Sequence, residues 1–201
     1  MLLVAVAALA ASGGGVALGA GLGVVTAQDL TAYSAASTVP ASSCSSGDDV
    51  DTWIDGQNPT TKHGGSATLR VNAQRPADAL LQFTPCAPAN AAIVGATLSL
   101  TVDTAPNKAR VHDLYDITGL WTKNTTWSTQ PAIAATSTAS ATTAGAGGVT
   151  SWDVTTDVQS FVDGATNDGW EIQDDGTGNG NTLYDSDSSS TPPSLAITYY
   201  P

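Results

Sequence analysis

"GATLSLTV", residues 95–102, is the stretch that decides the fold of this chain. Apolar and polar side chains alternate in it, so that positions 96, 98, 100 and 102 share one face and positions 97, 99 and 101 share the other. A period of two is typical of a β-strand with one buried and one solvated face. The stretch therefore predicts a sheet that covers a core on one side only.

The chain from residue 49 onward repeats this pattern. Short apolar or alternating runs are separated by clusters of Gly, Pro, Asn and Asp, which is typical of an all-β sandwich. The low-complexity segment 132–148 predicts an exposed loop. The predicted strands span residues 50–54, 67–72, 79–84, 95–102, 110–117, 149–155, 169–174, 181–186 and 193–200.

One helix is predicted within this β-rich region, at residues 155–164. Val158, Phe161 and Val162 recur there at the spacing of one helix face. Thr155 or Thr156 can cap its start, and Gly164 ends it.

The N-terminal segment, residues 1–28, carries no charged side chain, since the first one is Asp29. A run of about 20 apolar residues is enough to span a membrane as a helix, so the segment predicts a hydrophobic helix that meets the membrane during export. Residues 29–47 are rich in Ser, Ala and Thr and predict a linker. The sandwich domain is then expected at residues 48–201.

Two interpretations of the N-terminal segment stay open. A secretory signal peptide would be cleaved near Gln28, after the small residues "VTA", although no basic region precedes the apolar run. A retained helix would place Gly15, Gly19 and Gly23 on one face, where small residues let helices pack closely, and so would join copies of the chain into a filament. The segment also resembles the start of a processed pilin-type subunit, although bacterial pilins generally carry glutamate at the fifth position, where this chain has Ala5.

The chain has two cysteines, Cys44 and Cys86. In an exported protein an even pair predicts one disulfide, and the alternative is two buried thiols. The composition is acidic, with 18 Asp and Glu against 6 Lys and Arg and a formal net charge of -12. Such a surface repels phosphate backbones, which argues against nucleic acid as a partner.

Several stretches together resemble a known family. They are "DTWIDGQNPTTKHGGSATLRV", "VGATLSLTV", "VHDLYDITGLWTKNTTWSTQPA", "SWDVTTDVQSFVDG" and "PPSLAITYY", and the resemblance covers residues 49–200. Their order and spacing are similar to those of the DNRLRE-type domain, a jelly-roll module grouped with alginate-binding carbohydrate-binding modules. The resemblance implies an extracellular antiparallel β-sandwich that binds glycans without cleaving them, and similar modules often hold a structural calcium ion.

The sequence departs from that family in residues 182–197. Relatives tend to carry an arginine-glutamate pair and a further arginine there, whereas this chain has Asp, Ser and Thr. Because an anionic sugar requires basic side chains and the whole chain has only six, a neutral polysaccharide is favoured over an anionic one.

Trp121 and Trp127 are candidate glycan-binding residues, since indole rings stack on the apolar faces of sugars. In the resembling family their stretch is part of the fold, so packing against the sandwich is the favoured interpretation. Asn124 begins the glycosylation sequon Asn-Thr-Thr in the same stretch.

Aspartates form two candidate calcium sites, because Ca²⁺ prefers carboxylate and carbonyl oxygens. The first is near the first strand and the second is beside the glycine-rich stretch 174–181; the residues are Asp49, Asp51 and Asp55, and Asp174 and Asp175. The favoured interpretation of these aspartates is nevertheless a solvated acidic surface that keeps the protein soluble.

Catalytic motifs are absent from the sequence: it has no GxSxG, HExxH or phosphate-binding pattern. The two histidines, His63 and His112, fall in a turn and in a predicted strand. No residue is therefore assigned a catalytic role, and the expected function is that of a non-catalytic surface protein, adhesive or filament-forming. The alternative is a secreted carbohydrate-binding module.

Overall fold

A computed structural model describes residues 40–47, 49–176 and 180–201. The predicted N-terminal helix, with Gly15, Gly19 and Gly23, lies outside the described residues, as does the larger part of the predicted linker. In the described part of the chain, no helix is long and apolar enough to span a membrane.

The described residues form eleven β-strands and one α-helix. The strands are β1 (Ser42–Gly47), β2 (Val50–Asp55), β3 (Thr68–Val71), β4 (Ala77–Gln82), β5 (Ala92–Thr104), β6 (Val111–Asp116), β7 (Ala139–Thr142), β8 (Val149–Asp153), β9 (Trp170–Asp174), β10 (Thr182–Asp185) and β11 (Ser194–Tyr200), and the helix is α1 (Thr155–Val162).

The strands form two antiparallel sheets. The first sheet has the order β1, β11, β5, β10, β3, and β8 is also paired with β5. The second sheet has the order β2, β4, β9, β6, β7. The predicted all-β antiparallel sandwich is thereby confirmed.

The long strand β5 organises the first sheet. Its first half pairs with β11, its middle with β8 and its end with β10. Leu98, Leu100 and Val102 are fully buried, as the alternation in residues 95–102 predicts. The alternate residues face outward: Thr97 is exposed, and Ser99 and Thr101 are partly exposed.

The main core lies between the inner faces of the two sheets. Its largest side chains are Trp152, Trp170 and Tyr184, all with 1% or less of their surface exposed. The indole Nε1 of Trp152 donates a hydrogen bond to the carbonyl oxygen of His112 at 3.0 Å, so the polar atom of this buried ring is satisfied.

Nine strands occur where the sequence predicts them, and α1 begins at the predicted residue. The cap differs from the prediction: the carboxylate of Asp153 accepts the Thr155 N–H and hydroxyl at the start of α1, whereas neither Thr155 nor Thr156 acts as its N-cap.

Two strands were missed. β1 lies at the end of the segment predicted to be a linker, and β7 lies in the segment predicted to be an exposed loop. Both sequences, "SSCSSG" and "ASAT", carry only small side chains, so neither shows an apolar pattern strong enough to predict a strand. In β7, Ala139 and Ala141 nevertheless pack against the main core.

The predicted disulfide is present. Cys44 in β1 is bonded to Cys86 in the segment after β4, with the two Cα atoms 6.1 Å apart. The alternative of two buried thiols is therefore wrong.

Replacing Leu98 by alanine tests the central position of β5. Leu98 is fully buried and lies between Leu195 of β11 and Trp152 of β8 in register, so its truncation should leave a cavity. We expect a loss of about 2–5 kcal/mol in the free energy of unfolding, measured by denaturant titration.

The matched control is Thr97→Ala, on the exposed face of the same strand. It should change the free energy of unfolding by less than about 1 kcal/mol. Equal losses in the two variants would contradict the assignment of the core face.

Candidate functional site

A groove of about 680 Å³ opens at one edge of the first sheet. It lies where β3, the turn after β3, the loop after β5 and the start of β10 come together. The lining is mostly polar and consists of Arg70, Asn72, Gln74, Arg75, Thr104, Ala105, Pro106, Asn107, Gly180 and Asn181. Amide and guanidinium groups of this kind can donate hydrogen bonds to hydroxyl and carboxylate oxygens.

Arg70 is held in place by two neighbours. Its Nε donates a hydrogen bond to Oδ1 of Asn181 at 2.6 Å, and its guanidinium carbon lies 5.8 Å from the centre of the Trp53 ring. The first contact fixes the edge of the guanidinium group, and the second is a cation–π interaction. The bond from Nε to Asn181 leaves the two terminal nitrogens of Arg70 as the donors available to a ligand.

Trp53 is itself supported by His63. The two rings are stacked, with their centres 3.5 Å apart and their planes inclined by 18°. Burial lowers the pKa of His63, and the charge of Arg70 lowers it further, while Asp55 opposes this shift. His63, Trp53 and Arg70 therefore form a continuous array beside the groove.

The turn after β3 supplies the second arginine. Oδ1 of Asn72, a residue with only 7% of its surface exposed, accepts the backbone N–H of Arg75 at 2.9 Å. This contact orders the turn that carries the exposed side chain of Arg75. The groove thus has one arginine on a strand and one on an ordered turn.

The opposite wall requires a glycine at position 180. A Cβ atom there would lie 2.8 Å from Cβ of Pro106 and 3.2 Å from Cδ of Arg110, which is closer than normal contact. Arg110 is 6% exposed and forms ion pairs with Asp174 and Asp175. Its charge is therefore neutralised within the protein.

The cations of the chain are concentrated near this groove. Arg70 and Arg75 line it, and Lys108 follows the lining residue Asn107. Within the described residues neither Arg70 nor Arg75 forms an ion pair, since both ion pairs there belong to Arg110. Both charged side chains of the described groove lining are thus basic although the chain is acidic overall, and the carboxylate of Asp103 lies beside this lining, where it accepts the hydroxyl of Thr104 at 2.9 Å.

The two candidate tryptophans pack against the second sheet. Trp121 and Trp127 contact a small cluster formed by Ile54, Leu80 and Ile117. The Nε1 of Trp121 donates a hydrogen bond to the carbonyl oxygen of Asp168 at 2.6 Å. These contacts fit the packing interpretation, and the glycan-binding role of the pair stays a prediction.

Asn124, the sequon residue, is exposed in the turn closed by the hydrogen bond from the N–H of Thr125 to the carbonyl of Thr122. Its glycosylation stays a prediction.

Each of the three aspartates predicted near the first strand accepts hydrogen bonds from other residues. Asp49 accepts the hydroxyl of Thr84 at 2.7 Å, and Asp51 accepts the backbone N–H of Asp187 at 2.7 Å. Asp55 accepts the N–H of Gln57 and the side-chain amide of Asn58, each at 2.8 Å. Burial raises the pKa of Asp55, but these hydrogen bonds bring it below the ordinary value.

Asp174 and Asp175, the second predicted calcium pair, both contact Arg110. Arg110 donates two hydrogen bonds to the carboxylate of Asp174, and these bonds raise the pKa of Arg110. In the part of the chain that the structure describes, no group of three His, Cys, Asp or Glu residues is arranged to hold a metal ion. Calcium binding stays a prediction.

His112 lies in the core and has a structural partner. Its Nδ1 is 2.8 Å from the hydroxyl of Tyr184, and the residue is fully buried. Burial lowers the pKa of His112 to about 4, against the opposing charge of Asp174, so the ring is neutral near pH 7.

Two buried carboxyl groups lie on the face of the second sheet that Trp121 and Trp127 cover. Asp78 and Leu80 share one face of β4 by alternation, and Glu171 of β9 is paired with Leu80. Asp78 and Glu171 are 8% and 2% exposed. Burial, together with the charges of Glu171 and Asp174, raises the pKa of Asp78 to about 8, and burial also raises the pKa of Glu171.

Sequence reasoning missed the residues that line the groove. Arg70, Asn72, Arg75 and Asn181 are spread over more than a hundred positions and belong to no motif. One signal was present in the sequence: Arg70 and Arg75 stand close together in a chain with very few cations.

An antiparallel two-sheet sandwich with an open polar groove at its edge defines a ligand-binding module on a β-scaffold. The chain belongs to carbohydrate-binding module family 96, since the model of that family matches residues 44–199. The resemblance to a carbohydrate-binding module is thereby confirmed, whereas the narrower DNRLRE-type assignment stays a resemblance. A search among curated proteins finds no match. The family is one of glycan-binding modules, which are generally non-catalytic.

Replacing Asp78 by asparagine tests the buried carboxyl group. The native pKa of about 8 lies above the ordinary aspartate value of 3.8, so the native state keeps a proton that the unfolded state loses as pH rises between these values. The stability that protonated Asp78 contributes is therefore lost over this range, by about 1.4 kcal/mol per pH unit. The asparagine variant should equal the parent near pH 4 and be more stable at pH 8, measured by thermal melts at each pH.

The control is Asp103→Asn, which changes an exposed carboxylate beside Thr104. Its melting temperature should follow that of the parent at every pH. A gain in stability for Asp78→Asn that does not depend on pH would show that Asp78 is not protonated in the native state.

Proposed function

We propose that the protein is a non-catalytic carbohydrate-binding module whose glycan lies in the groove between β3, β10 and the loop after β5. The observation that carries the proposal is the presence of Arg70 and Arg75 in an open groove, both without an ion pair among the described residues. Guanidinium groups donate several hydrogen bonds in a fixed geometry, which suits the hydroxyl and carboxylate oxygens of sugars.

The preorganisation of Arg70 supports this assignment. Its contacts with Asn181 and Trp53 fix the guanidinium plane before a ligand arrives. A side chain held in this way loses less conformational entropy on binding than a free one. Asn72 and Asn107 extend the row of polar groups along the groove.

The local charge favours a glycan that carries carboxylate groups. The total charge of the chain argues for a neutral sugar, but the charged side chains that line the groove in the described part of the chain are Arg70 and Arg75. Charges within a few ångströms outweigh charges farther than the Debye length, which is about 8 Å at physiological salt. We therefore propose an acidic polysaccharide as the ligand.

A binding role fits the groove better than catalysis. The groove lining has no carboxylate and no histidine, so it supplies neither of the two acids that glycoside hydrolysis needs. The buried carboxyl groups of Asp78 and Glu171 lie on the second sheet, outside the groove lining.

Extracellular display and filament formation remain proposals for the whole chain. They depend on residues 1–28, which lie outside the described residues. A secreted module and a surface subunit would both expose the same groove to polysaccharides.

Binding to the groove is tested with the full chain by isothermal calorimetry against alginate and polygalacturonate as acidic probes and mannan as a neutral one. Arg70→Ala should weaken binding to an acidic probe by about tenfold or more, because it removes a charge-assisted hydrogen-bond donor. Arg75→Ala should weaken it in the same direction. Lys123→Ala removes one exposed charge outside the groove lining and should leave affinity within about twofold.

The variants test where the glycan binds, and the probes test which class of glycan binds. Unchanged affinity in both arginine variants, together with a loss of affinity in Trp121→Ala, would place the binding site at Trp121 and Trp127 instead. Binding of mannan alone would restore the neutral glycan. Circular dichroism of each variant shows whether the sandwich is intact.

A further inference from the structure

Strand β1 lacks the features that normally fix a strand. Its sequence is "SSCSSG", in which Cys44 is the one side chain that packs against the main core. It lies at the edge of the first sheet, and its pairing partner is β11. Serine and glycine have low strand propensity, and the strand buries almost no apolar surface.

The hydrogen-bond ladder alone gives β1 little stability. Ordering each residue costs backbone entropy, and the net gain of a hydrogen bond that replaces one to water is of similar size. Side-chain contacts add the hydrogen bond from Ser46 to the carbonyl of Thr84 at 2.9 Å and a contact between the hydroxyls of Ser43 and Thr198 at 3.4 Å. Both are exposed and therefore compete with water.

The disulfide attaches β1 to the rest of the domain, which the few side-chain contacts of β1 do not do. Cys44 is bonded to Cys86, whose neighbours Phe83 and Ala87 are buried in the main core. The side chain of Asn167 also donates a hydrogen bond to the carbonyl of Phe83 at 2.8 Å. One end of the disulfide is thus in a weak strand, and the other is in a segment attached to the core through Phe83 and Ala87.

We propose that the Cys44–Cys86 disulfide is a redox-controlled latch on β1. With the disulfide intact, β1 stays on β11; when it is reduced, β1 leaves the sheet while the rest of the sandwich remains folded. β11 keeps its place because its other edge is paired with β5 from Ser194 to Tyr200. Release of β1 leaves the outer edge of β11 with unpaired backbone groups.

The chemistry requires a dithiol reductant. A thiolate of the dithiol attacks one sulfur of the protein disulfide and forms a mixed disulfide, and its second thiol displaces the protein sulfur. Two electrons and two protons are transferred, so that Cys44 and Cys86 end as thiols and the dithiol ends as a cyclic disulfide. Cys86 is an exposed residue, which places this end of the bond within reach of a reductant.

Hydrogen–deuterium exchange on the full chain tests the latch. In Cys44→Ser/Cys86→Ser, the peptides that contain β1 and β11 should exchange about tenfold faster or more, while peptides of β5 and β9 keep the parent rate. Ser45→Ala is the matched control, because it changes β1 and leaves the disulfide in place; it should exchange like the parent.

Two results would overturn the proposal. Unchanged exchange in β1 would mean that the ladder holds without the disulfide, and faster exchange in every strand would mean that the disulfide supports the whole sandwich. Dithiothreitol added to the parent protein gives a second measurement that requires no refolding of a variant. It should reproduce the double variant, and removal of the reductant under air should restore the slow exchange; a disulfide that resists dithiothreitol in the folded protein would also overturn the latch.

Discussion

The structure depends on strand β5, which is paired along both of its edges. Its backbone joins β8 on one side and β11 and then β10 on the other, so most of the first sheet is assembled around it. The alternation of its side chains fixes which face of that sheet is buried, because a shift of one residue would turn Leu98 and Leu100 toward water. The second sheet packs against this apolar face, and the tryptophans and leucines of the main core fill the space between the two sheets.

The pairing of β5 with β10 also determines the position of the groove. β10 pairs with the end of β5 on one edge and with β3 on the other, and this brings Asn181 beside Arg70. The loop that leaves β5 contributes Ala105, Pro106 and Asn107 to the lining of the groove. A surface with two arginines that form no ion pair among the described residues thus arises in an acidic chain, because strands distant in sequence end at the same edge.

The sequence predicted those features that local patterns encode. Short apolar or alternating runs between turn residues predicted nine of the strands, helical spacing predicted α1, and the even pair of cysteines predicted the disulfide. β1 and β7 were missed because small side chains carry no period, and pairing and the disulfide place them in the sheets. The groove was missed because Arg70 and Asn181 meet through strand pairing, which no local pattern shows.

The register of β1 and β11 gives the domain a particular response to tension. Ser42 lies opposite Tyr199, so the chain enters and leaves the sandwich at the same end of one antiparallel pair. A force that pulls these two ends apart would break the hydrogen bonds between β1 and β11 one after another. Two paired strands resist a force in this direction least. Cys44 is the third residue of β1 from that end. The separation of the two strands would therefore stop at Cys44, and the disulfide would carry the force to Cys86.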